Sequence, residues 1–319
     1  MAKIHFLSRA RGRRLVAAGL AAACLTGTGL GTAAPASADP LPVGDLGTAV
    51  TNFLVSPDRV AGANDWSCRP GAEHPRPVVL VHATFVNLGA NWATISPTLA
   101  NAGYCVFAFN YGFNPILSAG RLGGLTDIAG SAAVLRDFVE RVRRATGAAQ
   151  VDLVGHSQGG MMPNYYLKRL GGASQVNTFV ALAPSNHGTT LSGIVTLGRS
   201  LNLLGFANTV LTLLGTPGLV QQEAGSRFQR ALFADGDTVP GPRYVVIATR
   251  HDSVVTPYTN AFLSGPAVTN ILVQDQCPND PVGHVGLFMD GPAIQNILNQ
   301  LGPNAPGFRP ACTAYGLRL

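Results

Sequence analysis

The chain has 319 residues, 46% hydrophobic and only 12% charged, with 22 Lys and Arg against 16 Asp and Glu; that charged share is about half the ~25% usual for soluble domains and points to an apolar partner or surface. Five of the basic residues, Lys3, Arg9, Arg11, Arg13 and Arg14, fall in the first 38 positions, which hold no acidic residue, so residues 39–319 carry 17 − 16 = +1. A near-neutral remainder without a basic cluster excludes nucleic acid as a partner.

Residues 1–38 read as a secretory signal peptide: a basic start, an apolar run from Leu15 to Leu30, and Ala36-Ser37-Ala38 before Asp39. Gly and Thr from Thr26 onward break the run short of the ~20 apolar residues that a membrane span needs. Arg13-Arg14 is a loose match to a twin-arginine signal, and Cys24 lacks the leucine three positions before it that a lipoprotein site shows. Cleavage after Ala38 and free secretion are expected. The remaining 319 − 38 = 281 residues suit one large α/β domain, 39–319.

Four cysteines remain after the leader, Cys68, Cys105, Cys277 and Cys312, an even count in a chain bound for an oxidising compartment. Three pairings are possible. Cys68–Cys105 and Cys277–Cys312 are favoured because they close the shortest loops and tie a terminal arm to a core strand. No C-x-x-C or Cys/His spacing of the kind zinc requires is present, so no metal and no cofactor is expected.

Residues 39–76, rich in Pro, Gly, Asp and Ala, are expected to wrap the surface. Strands and helices then alternate. Pro77–His82 is a continuous apolar run of buried parallel-strand type, and Trp92 to Gly103 follows with helical spacing. Cys105–Asn110 is the next strand, and Leu125 to Ala145 an amphipathic helix with Arg141, Arg143 and Arg144 near its carboxyl end. Val151 to Val154 leads into the turn discussed below and a helix through Leu170. Thr178–Ala183, Tyr244–Ala248 and Asn270–Val273 make three further strands, and Ile294 to Leu301 a last helix. This alternation predicts a mostly parallel central sheet with helices on both faces and a site at the carboxyl ends of the strands.

Gly155-His156-Ser157-Gln158-Gly159 fits G-x-S-x-G, between a strand and a helix as that motif requires. In such an elbow the serine sits in a strained turn above the sheet edge. The next backbone N–H, on Gln158, then points at a developing oxyanion near a helix N-terminus. A serine hydroxyl needs an imidazole to take its proton, and the imidazole needs a carboxylate to hold its tautomer. In strand order the acid and the base follow the serine. Arg250-His251-Asp252-Ser253 follows the Tyr244–Ala248 strand and makes Asp252 the first candidate acid, with Asp275 and Asp280 as alternatives. His284 is the only histidine downstream of Asp252. The second oxyanion donor comes from the loop His82-Ala83-Thr84-Phe85-Val86-Asn87-Leu88-Gly89, with the Thr84 N–H first, its hydroxyl an added donor, and Phe85 second. His156 is read as structural, its side chain turned away from the serine, and His187 as part of a pocket wall. His74 and His251 are given no role.

The segment Thr189 to Gln222 contains one charged residue, Arg199. Leu197, Leu201 and Leu204, and Leu203, Phe206, Val210 and Leu213, recur at helical spacing. Residues 189–240 are therefore expected to form a cap. It either packs on the core or acts as a lid and acyl-binding wall over Ser157, with Leu203, Phe206 and Val210 as its apolar face.

The G-H-S-Q-G-G turn, the H-x-T-F loop, the H-D-S-V-V-T-P-Y segment and the late G-H together resemble secreted actinobacterial lipases of the α/β-hydrolase superfamily, the class 2 triacylglycerol lipase/esterase group. The likeness runs from about Trp66 to Leu301. Such lipases usually carry Gly where this chain has Ala83, a methyl that tightens the oxyanion loop. The resemblance implies an α/β-hydrolase fold and a lipase or esterase reaction through an acyl-enzyme. Ser157 would be the nucleophile, Asp252 the acid, His284 the base, and Thr84 with Gln158 the oxyanion donors. The implied partner is a lipid ester at an oil–water interface, met by a secreted monomer without a stable membrane anchor. An acyltransferase on the same triad is the rival enzyme, and a catalytically silent secreted binding protein the rival of another class.

Overall fold

The computed structural model describes residues 39–114, 120–203 and 216–319. The leader therefore lies outside the described residues, as do Phe206 and Val210 of the expected lid face. Among the described residues no helix is long and apolar enough to cross a membrane.

Six strands form one sheet: β1 Val78–Val81, β2 Val106–Phe109, β3 Val151–His156, β4 Val176–Leu182, β5 Arg243–Ala248 and β6 Val268–Leu272. They run in the order β2-β1-β3-β4-β5-β6, and every pairing is parallel. β1, β2 and β3 are buried at every position, which explains why β1 and β2 read as unbroken apolar runs instead of alternating ones; in β3 the run is interrupted by Asp152, which pairs with Arg76 at 3.2 Å. The edge strand β6 differs, with Thr269 and Asn270 exposed.

Successive side chains go to opposite faces and feed two separate cores. Val78 and Leu80 join Val154, Val180 and Ile247 in one, packed against helices α1 Leu46–Val55, α2 Ile95–Asn101 and α8 Gly291–Leu301. Val79 and Val81 join Phe107, Leu153, Phe179 and Val246 in the other, packed against α3 Ile128–Thr146, α5 Pro163–Arg169 and α7 Arg227–Phe233. Each such aliphatic or aromatic side chain contributes ~1.5–3 kcal/mol on burial. Helix α3 is capped at both ends: Asp127 accepts the Gly130 N–H at 2.8 Å, and Gly147 closes it with a left-handed φ of 75°.

Two local readings are corrected. Residues 39–76 do not only wrap the surface, because α1 lies within them, started by Asp45, which accepts the Thr48 N–H at 2.9 Å. Only Ala49 and Phe53 of that helix are buried, too few to mark an apolar stripe in the sequence. The strand expected to run to Val273 ends at Leu272, and Val273–Gln276 turns into a single helical turn that begins the loop carrying His284.

The chain runs from β1 outward to β2, then crosses to the other side of β1 to build β3 through β6. The order therefore reverses between β1 and β3. In parallel sheets the loops leaving two strands on either side of such a point part from each other and open a crevice at their carboxyl ends. The loop after β1 carries Thr84 and the turn after β3 carries Ser157.

Candidate active site

Ser157 links β3 to α4, Gln158–Met161, with φ 55° and ψ −119°, a conformation that L-residues rarely adopt. Its own N–H is tied to the Leu182 carbonyl at 2.8 Å, and its carbonyl accepts the Gly160 N–H at 2.9 Å, so both sides of the strained residue are held. The flanking glycines are a matter of space. A Cβ on Gly155 would lie 1.9 Å from the Gly159 carbonyl oxygen, and one on Gly159 would lie 2.0 Å from that of Val81.

The Ser157 hydroxyl faces His284 Nε2 at 3.0 Å, and His284 Nδ1 faces Asp252 Oδ2 at 2.9 Å. All three residues are buried. Asp252 is fixed from its other oxygen, Oδ1, which accepts the N–H groups of Val254 and Val255, each at 2.8 Å. With Oδ1 so occupied, Oδ2 is aimed at His284. The alternatives are placed elsewhere. Asp275 pairs with Arg250 at the surface, 3.0 Å apart. Asp280 accepts the Val282 N–H at 2.9 Å and faces Asp290. His187 sits against Phe233 with Nε2 3.4 Å from Asp237 and does not line the cavity beside Thr84 described below.

The loop after β1 is held on both sides of Thr84. Ala83 donates its N–H to Asn91 Oδ1 at 2.7 Å, and its carbonyl accepts from His82 Nδ1 at 2.8 Å. Burial pushes the His82 pKa down to about 4, so the ring stays neutral, and its Nε2 accepts the Tyr111 N–H at 3.3 Å. Phe85 has a left-handed φ of 65° and gives its N–H to the Gly123 carbonyl at 3.0 Å, which takes it out of contention as an oxyanion donor. Thr84 Oγ1 accepts from Gln222 Nε2 at 3.2 Å, a bond that turns the hydroxyl proton away from Gln222. Beside Thr84 a cavity is walled by Ala83, Val86, Ala90, Leu197, Val285 and Phe288, with Asn91 and His156 as its polar members.

Leu197 belongs to α6, Leu191–Leu203, the described start of the expected cap. Ile194 and Leu197 are buried in the core, so this part of the segment packs as an ordinary helix while also walling the cavity. The far end is pinned by backbone bonds between Thr189 and Gln222 and between Ala224 and Thr189, each 2.8 Å. The side chain of Leu203, the third residue of the expected lid face, lies outside the described part of the structure.

Two features of the loop carrying His284 have no counterpart in the sequence reading. Residues 314–319 lie along it: Gly283, Val285 and Gly291 donate to the carbonyls of Leu317, Leu319 and Ala314 at 2.7–2.8 Å. The disulfide Cys277–Cys312 joins the starts of the two segments, and Cys68–Cys105 ties the amino-terminal arm to β2, the pairing expected from loop length. The second feature is His156, whose Nε2 lies 3.0 Å from the His284 carbonyl oxygen. Its ring does turn away from Ser157, but toward the main chain of His284.

The family described as lipase (class 2) matches residues 75–291, more than half of the chain. Among solved structures the chain is similar to lipase B of Aspergillus fumigatus, at 21% identity over 79% of this chain with a TM-score of 0.58. It spans 62% of the length of that protein. It is also similar to the mature form of the Bacillus licheniformis lipase BlEst2, at 17% identity over 64% of this chain and 85% of that one, with a TM-score of 0.48. The chain belongs to the class 2 lipase family and carries the α/β-hydrolase fold.

Proposed function

We propose that the protein is a secreted serine hydrolase that cleaves carboxylic esters of lipids through an acyl-enzyme, with Ser157 as nucleophile, His284 as base and Asp252 as acid. The observation that carries this reading is the buried, continuous chain of hydrogen-bond distances from Ser157 Oγ through His284 to Asp252 Oδ2. His284 Nε2 takes the Ser157 proton as Oγ attacks the ester carbonyl, and Asp252 stabilises the imidazolium that forms. The N–H groups of Gln158 and Thr84 receive the oxyanion, with the Thr84 hydroxyl as a third donor. Collapse expels the alcohol, which takes its proton from His284, and water then repeats the cycle to release the acid.

The apolar wall beside Thr84 supports a lipophilic acyl group, since Val86, Ala90, Leu197, Val285 and Phe288 offer it no hydrogen bond to break. Removal of residues 1–38 and export follow from the leader, a monomer is the state proposed, and the two disulfides accord with an oxidising destination. The test is Ser157→Ala, which is expected to lower ester hydrolysis about a million-fold while the protein remains folded. A fluorophosphonate should label the wild-type protein at Ser157 and leave the variant unlabelled. Retention of a few per cent of activity, or labelling elsewhere, would place the nucleophile on another residue.

A further inference from the structure

His156 is buried beside the nucleophile yet makes no bond to it. Its two ring nitrogens point in opposite directions, Nε2 at the carbonyl oxygen of His284 at 3.0 Å and Nδ1 at Asn91 Nδ2 at 3.3 Å. Asn91 is buried as well, and its Oδ1 is committed to the Ala83 N–H at 2.7 Å. The protonation state follows from these partners. A carbonyl only accepts, so Nε2 must carry a hydrogen. Asn91 has given its oxygen to Ala83, so it presents a donor to Nδ1, which must be a lone pair. Both ends require one state, the neutral ring with its hydrogen on Nε2.

We infer that His156 and Asn91 are positioning residues, a neutral relay that sets the main chain of His284 against the loop bearing Thr84, so that base and oxyanion donor keep one fixed relation across Ser157. The inference rests on the reading of Ser157, His284 and Thr84 given above. Ala83 is central to it, because the relay holds its N–H while His82 holds its carbonyl, and that carbonyl belongs to the peptide whose N–H is on Thr84. Among the described residues the ionisable side chain facing His156 is His284, their ring centroids 5.4 Å apart, and its own nitrogens are taken by Ser157 and Asp252. Burial first, and His284 second, lower the His156 pKa to about 3, so the relay keeps its neutral form throughout the range in which a serine hydrolase works.

The test is Asn91→Asp, which preserves size and the acceptor for Ala83 but replaces the donor facing His156 with a second acceptor. A neutral ring then cannot satisfy both neighbours. With its hydrogen on Nδ1, it sets a lone pair against the His284 carbonyl. Uptake of one proton, on the ring as imidazolium or on the new carboxylate, restores both bonds, so the pair should bind that proton at a pH well above that at which the wild-type ring does. Turnover at about pH 8 should fall on the order of tenfold to a hundredfold, the scale of a small displacement of catalytic groups. The ratio of variant to wild-type kcat should then climb as the pH is lowered toward about 5.5 and the pair takes up that proton. A ratio that stays flat with pH would reduce Asn91 to packing, and wild-type turnover at every pH would remove the relay altogether. Nitrogen-15 NMR of histidine-labelled wild-type protein gives an answer that needs neither the variant nor activity. His156 should show the Nε2–H tautomer and no titration above about pH 5. An Nδ1–H tautomer, or titration near the ordinary value, would overturn the inference. If instead Ser157→Ala left hydrolysis intact, the reading of the site would fail while the tautomer result stood.

Discussion

Replacing Asp252 by Asn tests the arrangement of the proposed triad through a single atom. The two N–H groups of Val254 and Val255, each 2.8 Å from Oδ1, demand an oxygen at that position. The amide of Asp252→Asn must therefore place its NH2 where Oδ2 stood, 2.9 Å from His284 Nδ1. Flipping it would set NH2 against two backbone donors, at a cost of ~1–3 kcal/mol for each donor left unpaired in a buried place. A donor facing Nδ1 forces the His284 hydrogen onto Nε2, where it points at Ser157 and cannot accept its proton. The same change in another serine hydrolase lowers turnover by about 10⁴ with the geometry intact, which corresponds to ~5.4 kcal/mol of barrier at 1.36 kcal/mol per tenfold. Hydrolysis of a soluble p-nitrophenyl ester should fall by about that factor, with thermal stability changed little because the backbone bonds persist. Asp275→Asn and Asp280→Asn should lose only a few-fold. A loss under tenfold for Asp252→Asn, or a larger loss for Asp280→Asn, would refute the assignment of the acid.

Two other perturbations probe features outside the triad. Burial pushes the Asp290 carboxyl up to about 7 from 3.8, even though the N–H groups of Gly316 and Ala293 favour its charge, and the nearby Asp280 raises it further. A folded pKa above the unfolded one means that the folded state holds the extra proton. The stability this pair contributes is therefore fully present below about pH 4 and lost as the pH rises through about 7, on the order of a few kcal/mol. Asp280→Asn supplies a neutral partner and should flatten that decline in thermal melts between those pH values; an unchanged slope would show that the pair does not hold a proton. Polar replacement of Leu203, Phe206 and Val210 tests the lid: hydrolysis of emulsified long-chain glyceride should fall much more than that of a soluble short-chain ester. Equal losses, with a lower melting temperature, would make these residues packing.

What could be read from the sequence was whatever one segment declares by itself. The strands were legible because burial on both faces leaves continuous apolar runs, and the elbow because steric closeness at Gly155 and Gly159 admits no side chain. Ser157, Asp252 and His284 could be named since each follows a recognisable strand, and a parallel sheet brings such loops to one edge. Helix α1 was missed because two buried residues make no periodicity. The bonds of residues 314–319 to the loop carrying His284 were missed because they run between backbone groups, which every sequence possesses. The His156 relay was illegible for the same kind of reason, since its links join residues 65 and 128 positions apart and no local pattern records them.

The groups that hold the site share a property that the groups performing its chemistry lack. Asp252 is set by two backbone N–H groups, Thr84 by a neutral His82 and the Gly123 carbonyl, and His284 by His156 and the backbone of residues 317–319. Backbone amides do not titrate, and burial keeps both supporting histidines neutral far below neutral pH. In the proposed mechanism proton transfer changes the charge of His284 at each half-reaction, and a support that ionised in the same range would shift with it. A frame of fixed dipoles keeps its orientation while that charge appears and disappears, which is the condition for oxyanion stabilisation without reorganisation at the moment of reaction. The burial that makes His82 and His156 poor bases is thus what suits them to hold a good one.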